Sequence, residues 1–292
     1  MPLGDAMALG CALAWAIAVT AFRQIASAPP LTVNFFKNTV GLILLVFTML
    51  LGGVGVDTER QAADWVRLVA SGFLGLTVAD TLFLWGIQRV DGAVIAAADC
   101  AYAPTVVLLS ALVLGEPLSL GVLLGTPLVV AGLFWASQPE KRTPSRVEPI
   151  GLLGVLGGVV LTAVGVIIAK PALERSNLIE ATTLRLASGA LPIAMVEIFG
   201  QRKAWARLAG LLAPRTGIRL LVGSVFGTYL SMLLWLGGMK YTSASRAAIL
   251  NQMGAVFLLV ISRLIGEKIP LRKWLGAGIA VLGALCVIAS RE

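Results

Sequence analysis

The 292-residue chain contains no histidine and only three cysteines, and Lys, Arg, Asp and Glu together make up 13% of it. Without histidine there is no Ser-His-Asp triad, no histidine zinc site and no histidine proton relay. Cys11, Cys100 and Cys286 stand in separate apolar segments with no CxxC spacing, which points to small core residues rather than a disulfide framework or a metal site. The charge is roughly half the about 25% that a soluble domain carries, too little to coat a water-exposed surface of this size. That disfavours a soluble enzyme and a nucleic-acid-binding domain, despite a formal net charge of +8. No GxxxxGKS/T segment occurs, so direct ATP coupling is not expected. What the chain has in abundance is apolar surface: 58% hydrophobic residues, 32 glycines and a mean hydropathy of +0.91. Those values point to many lipid-spanning helices.

Crossing about 30 Å of hydrocarbon takes about 20 helical residues. Apolar runs read against their breakers give ten spans, at about 4–22, 31–52, 65–88, 92–114, 120–137, 149–169, 180–199, 214–239, 244–265 and 272–290. Pro29-Pro30, Gly115-Glu116-Pro117, Pro139, Pro144 and Pro270 mark the gaps. The first segment lacks a positive n-region and is read as a span, not a cleaved signal. The connections are short and offer no room for a soluble domain. Trp65, Trp135, Trp205 and Trp274 fall near span ends, as interfacial anchors do. Small-xxx-small pairs at Gly121/Gly125, Gly154/Gly158, Ser71/Gly75 and Gly223/Gly227 are expected at helix crossings.

The two halves align at an offset of about 147 to 152 residues. Leu3-Gly4 matches Ile150-Gly151, Phe36-Lys37 matches Leu184-Arg185, and Phe73-Leu74-Gly75 matches Val225-Phe226-Gly227. Leu114-Gly115-Glu116-Pro117-Leu118 is echoed by Ile265-Gly266-Glu267 with Pro270-Leu271, and Gly125, Gly132 and Ser137 by Gly276, Gly283 and Ser290. The expected organisation is a first repeat at 1–137, a linker at 138–149 and a second repeat at 150–292. Five spans per repeat is an odd number, so the second copy enters the membrane from the opposite face. The fold class is therefore an all-α membrane protein, ten transmembrane helices arranged as two inverted five-helix repeats, the architecture of alternating-access carriers.

The Gly-Glu-Pro-Leu ending of span four, its Gly-Glu counterpart, Trp15-Ala16 in span one and the basic residue early in spans two and seven resemble the drug/metabolite transporter superfamily, specifically its tandem EamA-like repeats. The resemblance covers nearly the whole chain. It implies a multi-pass carrier of the bacterial-type inner (plasma) membrane, often an exporter, with the path of a small-molecule substrate between the halves. One departure is that Pro104 of span four has no proline counterpart near Ala255. Of the 23 Lys and Arg, fourteen fall on connections after odd-numbered spans, seven on the other face, and Lys37 and Arg185 within spans. The positive-inside rule then places both termini outside, whereas the resemblance implies the reverse.

Most charged residues map to span ends and read as solvated or snorkelling groups. Lys37, Asp80, Asp99 and Arg185 do not, and an ionisable group inside a span points to function. At about 1.5 Å per residue, Asp80 and Asp99 lie roughly 10 to 12 Å deep from one face and Lys37 roughly 9 Å. Two carboxylates about 5 Å apart would repel by roughly 3 kcal/mol at an effective dielectric near 20, so a proton shared by Asp80 and Asp99 is one expectation. The alternative is a static Lys-Asp pair with the other Asp capped by Thr77, Thr81 or Tyr102. In the second repeat the matching positions are Arg185, Met232 and Asn251, so the acid pair is one-sided. Trp15, Tyr102, Arg185, Tyr229, Asn251 and Gln252 are candidate lining groups, and Glu116 and Glu267 read as structural.

These readings call for a secondary transporter, in the export direction, of a small metabolite, amino acid or drug-like solute, with Asp80, Asp99 and Lys37 binding protons or substrate and protons exchanged through Asp80 and Asp99. No catalytic residues, metal ligands, cofactor or nucleic-acid partner are expected. A proton-independent facilitator is the alternative within transport, and an integral-membrane enzyme or scaffold the alternative outside it. The substrate, the oligomeric state and the orientation of the termini are not encoded in any motif.

Overall fold

The computed structural model describes residues 2–25, 30–138, 148–200 and 213–290. Ten helices are long and apolar enough to cross a membrane: Leu3–Arg23, Leu31–Leu51, Ala62–Ile87, Val94–Leu114, Leu120–Ser137, Pro149–Arg175, Leu178–Phe199, Pro214–Tyr241, Ala244–Leu264 and Leu271–Ala289. They are spans one to ten below. Pro149 and Pro214 each sit in the first turn of their helix, where the missing N–H costs nothing. Gly115 and Gly266 end spans four and nine in the left-handed conformation, φ 67° and 95°. Trp205 and most of the expected linker lie outside the described residues.

The helices pair across the repeats. Span one packs on spans eight and nine, and span six, its repeat mate, packs on spans three and four; span two lies against seven, and five against ten. The last crossing shows the inversion directly. A Cβ on Gly125 would lie 2.6 Å from the Gly283 carbonyl oxygen, and one on Gly132 2.5 Å from that of Gly276. The early glycine of span five meets the late glycine of span ten, and the late one meets the early one, so the repeat mates run antiparallel about a twofold relation. The other predicted small pairs are also at crossings, Gly158 against the Ala79 carbonyl and Gly154 against Trp85, Gly223 against Phe22, and Gly75 beneath the Arg185 guanidinium.

The reading of end charges as solvated needs correction. Asp5, Arg60, Lys170, Glu180, Glu197 and Arg246 are buried. Arg246 donates to Asp5 at 2.7 Å, Arg60 to Glu180 at 2.6 Å, and Arg175 to Asp64 at 2.7 Å. Lys170 stands 2.8 Å from Glu174 and 3.5 Å from Glu116, and donates to the Met239 and Thr242 carbonyls. All of these but Glu197, which accepts from Thr32 at the opposite face, lie at the face that carries the two termini. The physical reason is that span ends there meet other spans instead of water, and a buried charge is tolerable only when paired.

Candidate functional site

Four helices depart from regular α geometry, at repeat-related places. Spans three and eight widen into π-helix at Phe73–Ala79 and Val225–Leu230, immediately before Asp80 and Ser231. Spans four and nine break after Asp99 and after Asn251. At the breaks tighter i to i−3 bonds replace the helical ladder: Ala101 N–H to the Ala98 carbonyl at 3.0 Å, Gln252 N–H to Ile249 at 3.2 Å and Met253 N–H to Leu250 at 3.1 Å. Pro104 explains the first break, because it has no N–H to offer the preceding turn. The second has no proline; instead Gln252 Nε2 reaches across and donates to the Asp99 carbonyl at 3.1 Å. Each break is thus supported by the other repeat. Such interruptions recur at functional places in membrane helices.

Between the halves lies a cavity of about 430 Å³. Of the nine residues singled out from sequence, Asp80, Asp99, Lys37, Trp15, Tyr102, Arg185, Asn251 and Gln252 line it, and Tyr229 does not. The Tyr229 hydroxyl is 2.8 Å from Thr48 Oγ1, at the crossing of spans two and eight, while its neighbour Thr228 faces the cavity. Other lining residues that sequence reasoning left out include Cys11, Phe83, Thr162, Ser231 and Trp235. The repeat itself carried the signal for one of them: Thr162 is the mate of Trp15 at an offset of 147 residues.

The four charges converge on this one space but in unlike surroundings. Lys37 and Arg185 both act electrostatically on Asp80. Lys37 also donates to Asn38 Oδ1 at 3.3 Å, and Arg185, 3% exposed, donates through Nε to Ser71 Oγ at 2.7 Å. Asp99 is exposed to the cavity. Among the described residues, none of the four charges forms an ion pair within 4.0 Å. Thr77 donates to the Gly189 carbonyl and Thr81 to the Thr77 carbonyl, so neither hydroxyl proton is spent on an aspartate. The Tyr102 hydroxyl, the Thr228 hydroxyl and Asn251 Oδ1 are buried without a hydrogen-bond partner among the described residues. Aromatic rings complete the lining, with Tyr102 and Trp235 centroids 5.7 Å apart and Trp15 open to the space.

Comparison with known proteins places this arrangement. The EamA-like transporter family matches the chain twice, over residues 2–138 and again over 149–289. The chain belongs to that family. A curated relative from Archaeoglobus fulgidus, described as an uncharacterized transporter, is 24% identical over 285 residues, covering 95% of each chain. A solved crystal structure aligns at a TM-score of 0.79 with 17% identity, covering 97% of this chain and 95% of that one, which shows a shared fold. This EamA-like protein is therefore a multi-pass integral membrane transporter, and the central cavity shared by its two repeats is the candidate substrate site.

Proposed function

We propose that the protein is a secondary transporter that exports a small metabolite, amino acid or drug-like solute across the inner (plasma) membrane by alternating access, with protons moving in exchange through Asp80 and Asp99. The observation that carries the reading is a single cavity built from both repeats that holds Lys37, Asp80, Asp99 and Arg185 at membrane depth, where isolated charges are costly and mark a pathway. Between this cavity and the terminal face lies the layer of buried pairs formed by Asp5 with Arg246 and Lys170 with Glu116, so access is from the other face. In the alternate state that layer would part and the opposite ends of the same helices would close.

The test is solute counterflow in proteoliposomes with and without an imposed pH gradient. Stimulation by the gradient, lost by about tenfold or more in Asp80→Asn or Asp99→Asn, is the expected result. Transport unchanged in both variants would eliminate the coupling role. The second reading, a proton-independent facilitator, is favoured by the two cations whose charges act on Asp80, and net flux insensitive to the gradient would select it.

A further inference from the structure

The charges in the cavity do not cancel locally. Asp80 has two cations acting on it, whereas Asp99, at the break of span four, has no cation acting on it among the described residues and opens into the cavity. On the walls shared with Asp99, two buried polar atoms that can accept are unspent. Asn251 Oδ1, at the matching break of span nine, is buried and unpartnered; so is the hydroxyl of Tyr102, a residue only 9% exposed that lines the same space. Gln252 turns its donor away, onto the Asp99 carbonyl, which also fixes the two breaks against each other. The walls beyond are aromatic, from Trp15, Tyr102 and Trp235, and such faces attract a cation further.

We infer that the meeting point of the two helix breaks is a seat for the ammonium group of the substrate, with Asp99, Asn251 Oδ1 and the Tyr102 oxygen as acceptors and the aromatic walls around an apolar body. A substrate that also carries a carboxylate would turn it toward the Lys37 and Arg185 side. The inference rests on the transporter reading and deepens it by assigning the substrate class: amines, with or without an acid group.

Three probes of one shape separate the possibilities: 2-phenylethylamine, phenylalanine and 3-phenylpropionate, titrated against the purified full chain with tryptophan fluorescence and thermal stability as readouts. The expected result is binding of the amine, with or without binding of the amino acid, and no binding of the acid. Asp99→Asn should weaken amine binding on the order of tenfold or more, as loss of a charged hydrogen-bond partner does, and Asn251→Ala and Tyr102→Phe should each weaken it by a smaller factor. An unliganded melting temperature close to wild type in Tyr102→Phe keeps the test open should Asp99→Asn not fold. Preference for the acid, binding of none of the three, sodium ions protecting the fold where the amine does not, or amine binding unchanged in Asp99→Asn and Tyr102→Phe would each overturn the seat. Amine binding without any counterflow would instead sink the transporter reading while leaving the seat, and counterflow of an anion that survives Asp99→Asn would do the opposite.

Discussion

Spans four and nine end alike in sequence and backbone, yet their surroundings differ. Each closes on a left-handed glycine, and each turns back so that a glutamate N–H meets a serine carbonyl, Glu116 to Ser110 at 3.2 Å and Glu267 to Ser262 at 3.0 Å. The Glu116 side chain is 13% exposed; its two oxygens accept the Ala244 N–H at 3.0 Å each, capping span nine, and Lys170 of span six stands beside it. Glu267 is exposed, and so is Arg23, the repeat mate of Lys170. In an inverted repeat, every position at one face has a counterpart at the other. On the alternating-access reading the contrast is therefore between a shut face and an open one. In the reverse state Glu267 would cap the start of span four near Gly92, and Arg23 would reach the carbonyls around Ile87 and Val90. The lesson is that a symmetric fold can be asymmetric in its contacts, and that on the alternating-access reading the second half of the molecule supplies the missing state of the first.

The comparison can be broken most severely where the two halves are truly equivalent. Overpacking costs about 1–3 kcal/mol when neighbouring side chains can yield, but at the crossing of spans five and ten a backbone carbonyl is in the way. Gly132→Leu and Gly276→Leu should both give no recoverable folded protein in detergent extracts, judged by size-exclusion chromatography. If one variant folds normally and the other does not, the twofold equivalence of that crossing is wrong. A smaller effect is expected where the halves differ. Arg246→Ala leaves Asp5 buried without its cation, a change that costs about 3–5 kcal/mol and should lower the melting temperature, with part of the loss recovered by adding Asp5→Asn. At the repeat-related place the residues are Leu152 and Val94, both packed in an apolar cluster, so Val94→Ala should cost less, of order 1–2 kcal/mol. Equal melting shifts for Arg246→Ala and Val94→Ala would remove the electrostatic distinction between the faces.

The ten spans and their duplication were legible because hydropathy and Gly/Pro punctuation are local. The ends were read less well: span six continues through Lys170, Glu174 and Arg175, which look like a solvated terminus, because Lys170 and Arg175 find partners on other helices and the helix need not stop to reach water. The central charges could be picked out by depth alone, since Lys37, Asp80 and Asp99 sit too far inside their spans to snorkel. Their division into a balanced Asp80 and a solitary Asp99 could not, because it depends on where Arg185 of the other repeat lies. The break in span nine was hidden for the same reason. No proline announces it, and the Gln252 bond that supports it crosses between repeats. Tyr229 shows the converse error: a polar side chain within a span need not face the path, since one hydroxyl on a neighbouring helix suffices to satisfy it.

The smallest expected effect bears most directly on the two glutamates. A capping carboxylate is worth about 0.5–2 kcal/mol, so Glu116→Gln should weaken the shut terminal face by roughly a few-fold in population without unfolding the protein. Val19, a cavity residue four positions from the Arg23 end of span one, reports on the open face. In a background with Cys11, Cys100 and Cys286 replaced by alanine, the alkylation rate of Val19→Cys should fall a few-fold on adding Glu116→Gln, because the state open at that face loses its cap. Glu267→Gln removes a cap that exists only in the reverse state, and should not lower the rate. A fall of equal size in both variants would mean that the two glutamates do not belong to opposite states, and that the difference in their surroundings is a fixed feature of the fold.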